Sequence, residues 1–435
     1  MEESSLAAQF AVLAAGVVAF AVVSRRTAPW PLTMPMVFAA FGLLCAVTGL
    51  VRLGVEPTAT AVLAELALGV ILFVDAARID VRALARERGL PLRLLGLGLP
   101  LTLLLGAVVM WAVAPGLGLL GALLLAAILA PTDAALGLAV VEDPAVPQRV
   151  RQGLTVESGL NDGLVLPVVL FCLAALGGGD GAGEGPAYWA AFVLGQVGGG
   201  TLLGIGVGAL GGWALARAAR AGWVEGLWRQ LGTLALAGLT LAAAETLGTN
   251  GFIAAFVAGL AVGVVSRRVG HTGDSAPTEY TEDTGQLLAV VAFFAFGNVL
   301  LAEFAVDLTW QVAVLALFSL TLMRLVPVAV SLLGSRARRA TVLFVGWFGP
   351  RGLASILFGL LVLEAEVPAS EELFSVVTWT VAASIVLHGA SASWGAARYG
   401  RWYARVRRDM PAEQAAGMPE AGSAMAHRPR RGRAR

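Results

Sequence analysis

Charge is scarce in this sequence. Only 14% of its 435 residues are Asp, Glu, Lys or Arg, against roughly 25% in globular domains, and mean hydropathy is +0.80. A deficit of that size excludes a soluble core, and apolar runs repeatedly reach the roughly 20 residues that cross a bilayer as helix. The short alternating segments of a membrane β-barrel are also missing. There are three histidines, His271, His388 and His427, and none shows metal-ligand spacing, which argues against a zinc centre. The two cysteines, Cys45 and Cys172, both fall inside apolar runs and read as small hydrophobes, not as a disulfide or metal pair. Lysine is absent altogether, and all 30 cationic side chains are arginine; no function attaches to that.

What is present is a series of long apolar runs. They predict an all-α polytopic membrane protein of about thirteen spans, near residues 6–23, 32–51, 59–76, 93–113, 117–141, 150–176, 188–216, 226–247, 250–266, 284–302, 308–333, 340–363 and 372–395. The first run follows Glu2 and Glu3 and lacks a basic leader, so it reads as a true span and not a cleaved signal. Arginine-rich loops alternate with acidic ones. Arg25, Arg26, 78–93, Arg149, Arg151, 217–229, Arg267, Arg268 and 336–339 fall on one side, and Glu303, Asp307 and 364–372 on the other. The positive-inside rule then puts the N-terminus outside and the C-terminus in the cytoplasm, with the expected location a bacterial plasma membrane. Residues 1–395 form the membrane domain. Residues 396–435 form an Arg-rich tail expected to be disordered and attracted to anionic inner-leaflet lipid. The basic segment 76–93 is expected on the inner membrane surface, and the Gly-rich 177–187 in an outer loop. Its Gly178-Gly179-Asp180 loosely matches an intramembrane aspartyl protease motif, but outside the membrane.

Few ionisable residues stay inside the spans: Glu65, Asp75, Asp133, Glu157, Asp162, Glu245, Arg324, Arg351 and His388. Each must offset a desolvation cost, so each is a candidate for function or pairing. The densest stretch is Glu157-Ser158-Gly159-Leu160-Asn161-Asp162-Gly163. On a helix, Ser158 and Asp162 share one face, and Glu157 and Asn161 the neighbouring one. Pro131, in Ala130-Pro131-Thr132-Asp133, should break the fifth span, which is tolerated only where the break is buried in protein or lines a cavity. Its freed carbonyls suit a cation, and Asp133 can cap the second half-helix. Phe348-Gly349-Pro350-Arg351-Gly352 predicts a second break, in the twelfth span. Two six-span halves of opposite orientation, each with its penultimate helix broken, give the inverted-repeat plan of secondary transporters.

Arg351 needs an anion, and Glu157 is the favoured partner; removing one member of such a buried pair costs roughly 3–5 kcal/mol. Asp162 is then the carboxylate left without a counter-ion. Burial favours its protonated form and a nearby cation its ionised form, so proton and cation compete for it. One carboxylate with hydroxyl and carbonyl oxygens suits a singly charged cation, whereas calcium recruits more anionic oxygen. Asp75 is placed in a funnel or snorkelling at the surface, Glu65 in a water-mediated or interhelical role. Glu245 and His388 read as structural, and Arg324 as paired with a carboxylate or helix carbonyls.

Together, Ala130-Pro131-Thr132-Asp133, Glu157-Ser158-x-x-Asn161-Asp162-Gly163 and Gly349-Pro350-Arg351-Gly352 resemble the electroneutral branch of the sodium/proton exchanger family. The three motifs occur in order on spans five, six and twelve, and the resemblance covers residues 6 to 395. It implies a homodimer with a dimerisation domain and a mobile six-helix core that moves as an elevator. It also implies Asp162 as the shared cation and proton site, with Ser158 and the Thr132 backbone as further ligands. Asn161 would tie the broken helix, Asp133 balance the helix ends and Glu157 pair with Arg351. The Asn161-Asp162 pair implies one cation exchanged for one proton, sodium ahead of potassium or lithium, with no cofactor and no nucleic-acid partner. Gly159 and Ala134 depart from many relatives, and Gly159 leaves ion size preference open. A cation channel is the main alternative, but no filter-like repeat is visible. An intramembrane protease lacks its zinc motif or dyad.

Overall fold

The computed structural model describes residues 6–27, 30–53, 57–79, 81–82, 89–177, 185–269, 279–304, 308–365 and 367–409. Among them there is helix and no strand, as the apolar runs predict. In chain order the helices are α1 (Leu6–Thr27), α2 (Met34–Thr48), α3 (Pro57–Arg78), α4 (Gly89–Val113), α5 (Gly118–Ile128), α6 (Ala134–Val141), α7 (Gln148–Gly177) and α8 (Pro186–Arg220). They continue as α9 (Gly226–Thr246), α10 (Gly251–Val269), α11 (Tyr280–Leu301), α12 (Trp310–Ser331), α13 (Arg339–Trp347), α14 (Leu353–Glu364) and α15 (Ser370–Arg408). Eight of these are long and apolar enough to cross a membrane on their own, and shorter apolar helices lie among them. Glu2, Glu3, the Gly178-Gly179-Asp180 motif, His271, His427, residues 83–88 of the basic segment and the tail from 410 lie outside the described residues.

Small residues set the helix packing. Gly200, Gly204 and Gly208 on α8 face α10 so closely that a Cβ at any of them would overlap the backbone of α10. Four-residue spacing of this kind brings two backbones together where no hydrophobic drive exists between helices in lipid. Three π turns interrupt α4, α8 and α11 at Leu94–Gly98, Gly195–Gly199 and Phe296–Leu301. The last carries buried Asn298. Its amide donates to Gly42 O and Val51 O (3.0 Å each) and accepts from Leu53 N (2.8 Å), pinning the chain that leaves α2.

One expectation is overturned at the C-terminus. Residues 396–408 are not a disordered tail but the continuation of α15, a single helix of 39 residues. Ala396 and Tyr399 are buried, Tyr399 stacks on Phe344 of α13 with centroids 4.1 Å apart, and its hydroxyl meets Thr341 Oγ1 at 2.9 Å. Aromatic packing against α13 thus supplies the burial that arginine-rich composition alone would not.

Candidate functional site

Two helix interruptions meet in the interior. α5 ends at Ile128 and α6 begins at Ala134; α13 ends at Trp347 and α14 begins at Leu353. Proline denies each segment a backbone donor, and the exposed peptide groups then find partners across the crossing. Asp133 N donates to Pro350 O (2.8 Å), and Ser355 Oγ to Ile128 O (2.8 Å).

Two buried charges complete the crossing. Asp133 Oδ1 accepts from Leu136 N in the first turn of α6 (3.0 Å), and Oδ2 accepts from Leu353 N at the start of α14 (2.6 Å). One carboxylate therefore caps two helix N-termini, where negative charge is favoured. Arg351 does the opposite for carbonyls. Its Nη1 donates to Ala130 O (2.9 Å) and Pro131 O (3.0 Å), and its Nη2 to Ser319 O (3.3 Å), beside the break of α12 at Thr321. Gly352 and Gly349 are required by proximity: a Cβ would overlap the Asp133 carboxylate at the first and the Arg324 side chain at the second.

The expected Glu157–Arg351 pair does not form. Glu157 on α7 makes a two-pronged ion pair with Arg324 of α12, Nη1 to Oε1 and Nη2 to Oε2, the latter at 2.6 Å. The physical reason is the freed carbonyls of the first break, Ala130 O and Pro131 O, which engage Arg351 and leave Arg324 as the fork-shaped donor for a carboxylate. Arg324 is the residue whose role sequence reasoning left open.

The rest of the α7 face meets the first break. Ser158 Oγ donates to Thr132 O, and Asn161 Nδ2 donates to Thr132 Oγ1 (2.8 Å). Thr132, Asp133, Ser158, Asn161 and Asp162 are thus gathered in one buried place. Asp162 is 1% exposed, and its Oδ1 has no hydrogen-bond partner; neither has Asn161 Oδ1. Asp133 and Glu157 are the carboxylates that act on Asp162 electrostatically. Three carboxylates face two guanidinium groups, Arg324 and Arg351, so the ionised cluster carries one uncompensated negative charge. Asp162 and Asn161 each offer an open oxygen, and Ser158 Oγ and Thr132 O lie on the same interface, a set suited to a monovalent cation. A narrow cavity of about 20 Å³ reaches Thr132, Asp133, Glu157 and Ser158 without including Asp162 in its wall.

Gly159 bears on packing more than on the ion. A Cβ there would overlap the Phe256 ring of α10, so the glycine admits that ring. Asn250 was not singled out in the sequence. It caps α10 through Ile253 N (3.0 Å) and donates to Gly163 O (2.8 Å), holding α7 one residue beyond Asp162. Its signal was an asparagine directly before an apolar run.

The remaining candidates separate. Asp75 lines a second cavity of about 240 Å³ with Arg78, Leu136, Ala139 and Glu282, between α3, α6 and α11. Arg78 bridges that cavity's edge, pairing with Glu142 at the end of α6 (3.3 Å) and with Glu282 of α11. Glu65 is not brought to this place: a Cβ at Gly251, the first residue of α10, would lie 3.9 Å from its Oε1. His388 is satisfied structurally, its Nε2 3.0 Å from Trp347 O and its Nδ1 3.1 Å from Ser384 Oγ, which also accepts from Arg351 N (2.7 Å).

Comparison with known proteins shows the family and the fold. A family model described as sodium/hydrogen exchanger, transmembrane, matches residues 11–397. A K(+)/H(+) antiporter NhaP2 from Shewanella sp. (strain MR-4) is 27% identical over 391 residues, covering 88% of this chain and 64% of the relative. A Na(+)/H(+) antiporter from Schizosaccharomyces pombe is 25% identical over 313 residues, 65% of each. The chain thus spans somewhat under two thirds of the length of these relatives. Among solved structures, the sodium proton antiporter MjNhaP1 from Methanocaldococcus jannaschii superposes with a TM-score of 0.71 at 18% identity, covering 89% of this chain and 97% of that one.

Proposed function

The chain belongs to the sodium/hydrogen exchanger family, and from that premise we propose that it exchanges a monovalent cation for a proton across a membrane, with Asp162 as the shared site. The observation that carries this reading is a buried carboxylate whose Oδ1 meets no protein donor, in a cluster short of one positive charge. One proton or one singly charged cation restores the balance, which supports electroneutral 1:1 exchange. The ionised, empty site carries a net charge through low dielectric and is costly to move; the neutralised site is not. Exchange follows from that difference. Sodium is the first substrate to test, with potassium and lithium beside it, since relatives of both sodium and potassium designation match.

The crossing of the two interruptions, tied by Asp133 and Arg351, supports movement of α5, α6, α13 and α14 as one body. The cavity between α6 on one side and α3 and α11 on the other suits the boundary across which an elevator slides. Arginines at the ends of α1, α3, α8, α10 and α15 support an N-terminus outside and a C-terminus in the cytoplasm. The homodimer is carried over from the family resemblance.

The experiment is exchange in proteoliposomes with an internal pH dye. Sodium, potassium or lithium should dissipate an imposed pH gradient, and Asp162→Asn should remove that response while the protein elutes and melts as a folded species. Lack of response to all three cations in the intact protein contradicts the proposal. Discrete single-channel currents in a planar bilayer would favour a channel instead.

A further inference from the structure

A groove outside the exchange site lies between α13 and α15. It holds about 550 Å³, lined on α13 by Leu343, Phe344 and Trp347 and on α15 by Trp394, Arg398, Arg401 and Arg405 among others. Its lining changes character along its length. At one end Trp347 Nε1 donates to Ser391 Oγ (3.0 Å), and the wall there, with Phe348, Trp394 and Gly395, carries no charge. Toward the other end come the three arginines, spaced three and four residues apart on one face of α15. From Ser391 to Arg405 the helix rises on the order of 20 Å. The arginines are not consumed by the fold. Among the described residues no carboxylate pairs with any of them, and Arg398 lies 5.5 Å over the exposed Trp394 ring.

A groove that is apolar at depth and cationic at the interface has the polarity of a phospholipid with its head outward. We propose that it binds one anionic phospholipid, the acyl chains along Trp347, Phe348 and Trp394 and the phosphate against Arg398, Arg401 and Arg405. Basic pockets between membrane helices take such headgroups. The chain's own C-terminal segment is a poor occupant, because residues 428–435 add five more arginines and repel these three. Arg398→Gln is the most informative single position, since it lies between the apolar and cationic ends. The groove's inner wall includes Trp347, the last residue of α13, and Phe348, the first of the second helix interruption, so an occupant there would brace that interruption from outside the ion site.

The test uses the full chain purified in a neutral detergent. Thermal unfolding and native mass spectrometry are followed with phosphatidylglycerol or cardiolipin, with phosphatidylcholine, and with inorganic phosphate. The wild type should be stabilised, and should retain lipid, with the anionic lipids only. The triple variant Arg398→Gln, Arg401→Gln, Arg405→Gln should lose affinity for them on the order of 100-fold. A control triple, Arg25→Gln, Arg26→Gln, Arg220→Gln, should keep wild-type behaviour. The proposal fails if phosphatidylcholine stabilises equally or if the first triple retains anionic lipid. It also fails if the control triple loses as much, which would mean bulk attraction, or if inorganic phosphate alone reproduces the shift, which would mean a free-anion site.

Discussion

Asp133 and Asp162 are both buried aspartates, and the contrast between their surroundings separates scaffold from chemistry. Asp133 sits where two helices are interrupted, and each of its oxygens accepts a backbone N–H from a different half-helix. Asp162 sits on uninterrupted α7, where every nearby backbone N–H is already committed to the helix, and its Oδ1 meets nothing. The broken region is thus the better satisfied one. Irregular backbone supplies the donors that fix a carboxylate permanently, and regular helix leaves a carboxylate dependent on what arrives.

The sharpest way to break this contrast is to neutralise the two aspartates in turn. Asp162→Asn should abolish exchange in proteoliposomes and leave the melting temperature at or above that of the wild type, because no protein partner is lost. Asp133→Ala should lower stability by about 2 kcal/mol, the loss of two helix caps of about 1 kcal/mol each, read as a fall in melting temperature. If Asp162→Asn unfolds the protein while Asp133→Ala does not, the roles are reversed. Removing either member of the Glu157–Arg324 pair should cost more, roughly 3–5 kcal/mol. The swap Glu157→Arg with Arg324→Glu should recover part of that, whereas a swap of Glu157 with Arg351 should recover none. Gly352→Ala should destabilise by about 1–3 kcal/mol, since the added methyl overlaps the Asp133 carboxylate. The smallest effect belongs to the edge of the second cavity. Arg78 and Glu142 are 42% and 51% exposed, so Glu142→Gln should change stability by no more than about 1 kcal/mol, measurable only at low salt.

The all-helical membrane fold was legible because lipid demands long apolar runs with internally bonded backbone, and this chain writes them plainly. Both interruptions were legible from Pro131 and Pro350, and the shared face of Ser158 and Asp162 from their spacing; the meeting of these residues and Asn161 with Thr132 came only from the family resemblance. The partner of Glu157 was not. Spacing along α7 says which way Glu157 points but not which of two buried arginines stands there, and the choice depends on carbonyls that exist only once α5 is broken. The extension of α15 was hidden for a related reason. Arginine-rich sequence looks like tail until Tyr399 and Phe344, 55 positions apart, are found stacked. Arg78 was counted as loop charge, since it lies near a helix end; its junction with Glu142 and Glu282 is a product of packing.

The central claim is that one carboxylate, Asp162, holds either a proton or a cation. Counting protons released when sodium or potassium binds to the purified protein in weakly buffered solution tests it most directly. The account predicts about one proton released per cation bound, with cation affinity falling as proton concentration rises and no release from Asp162→Asn. Equal release from Asp162→Asn, or cation binding to the wild type without release at any pH, would contradict it.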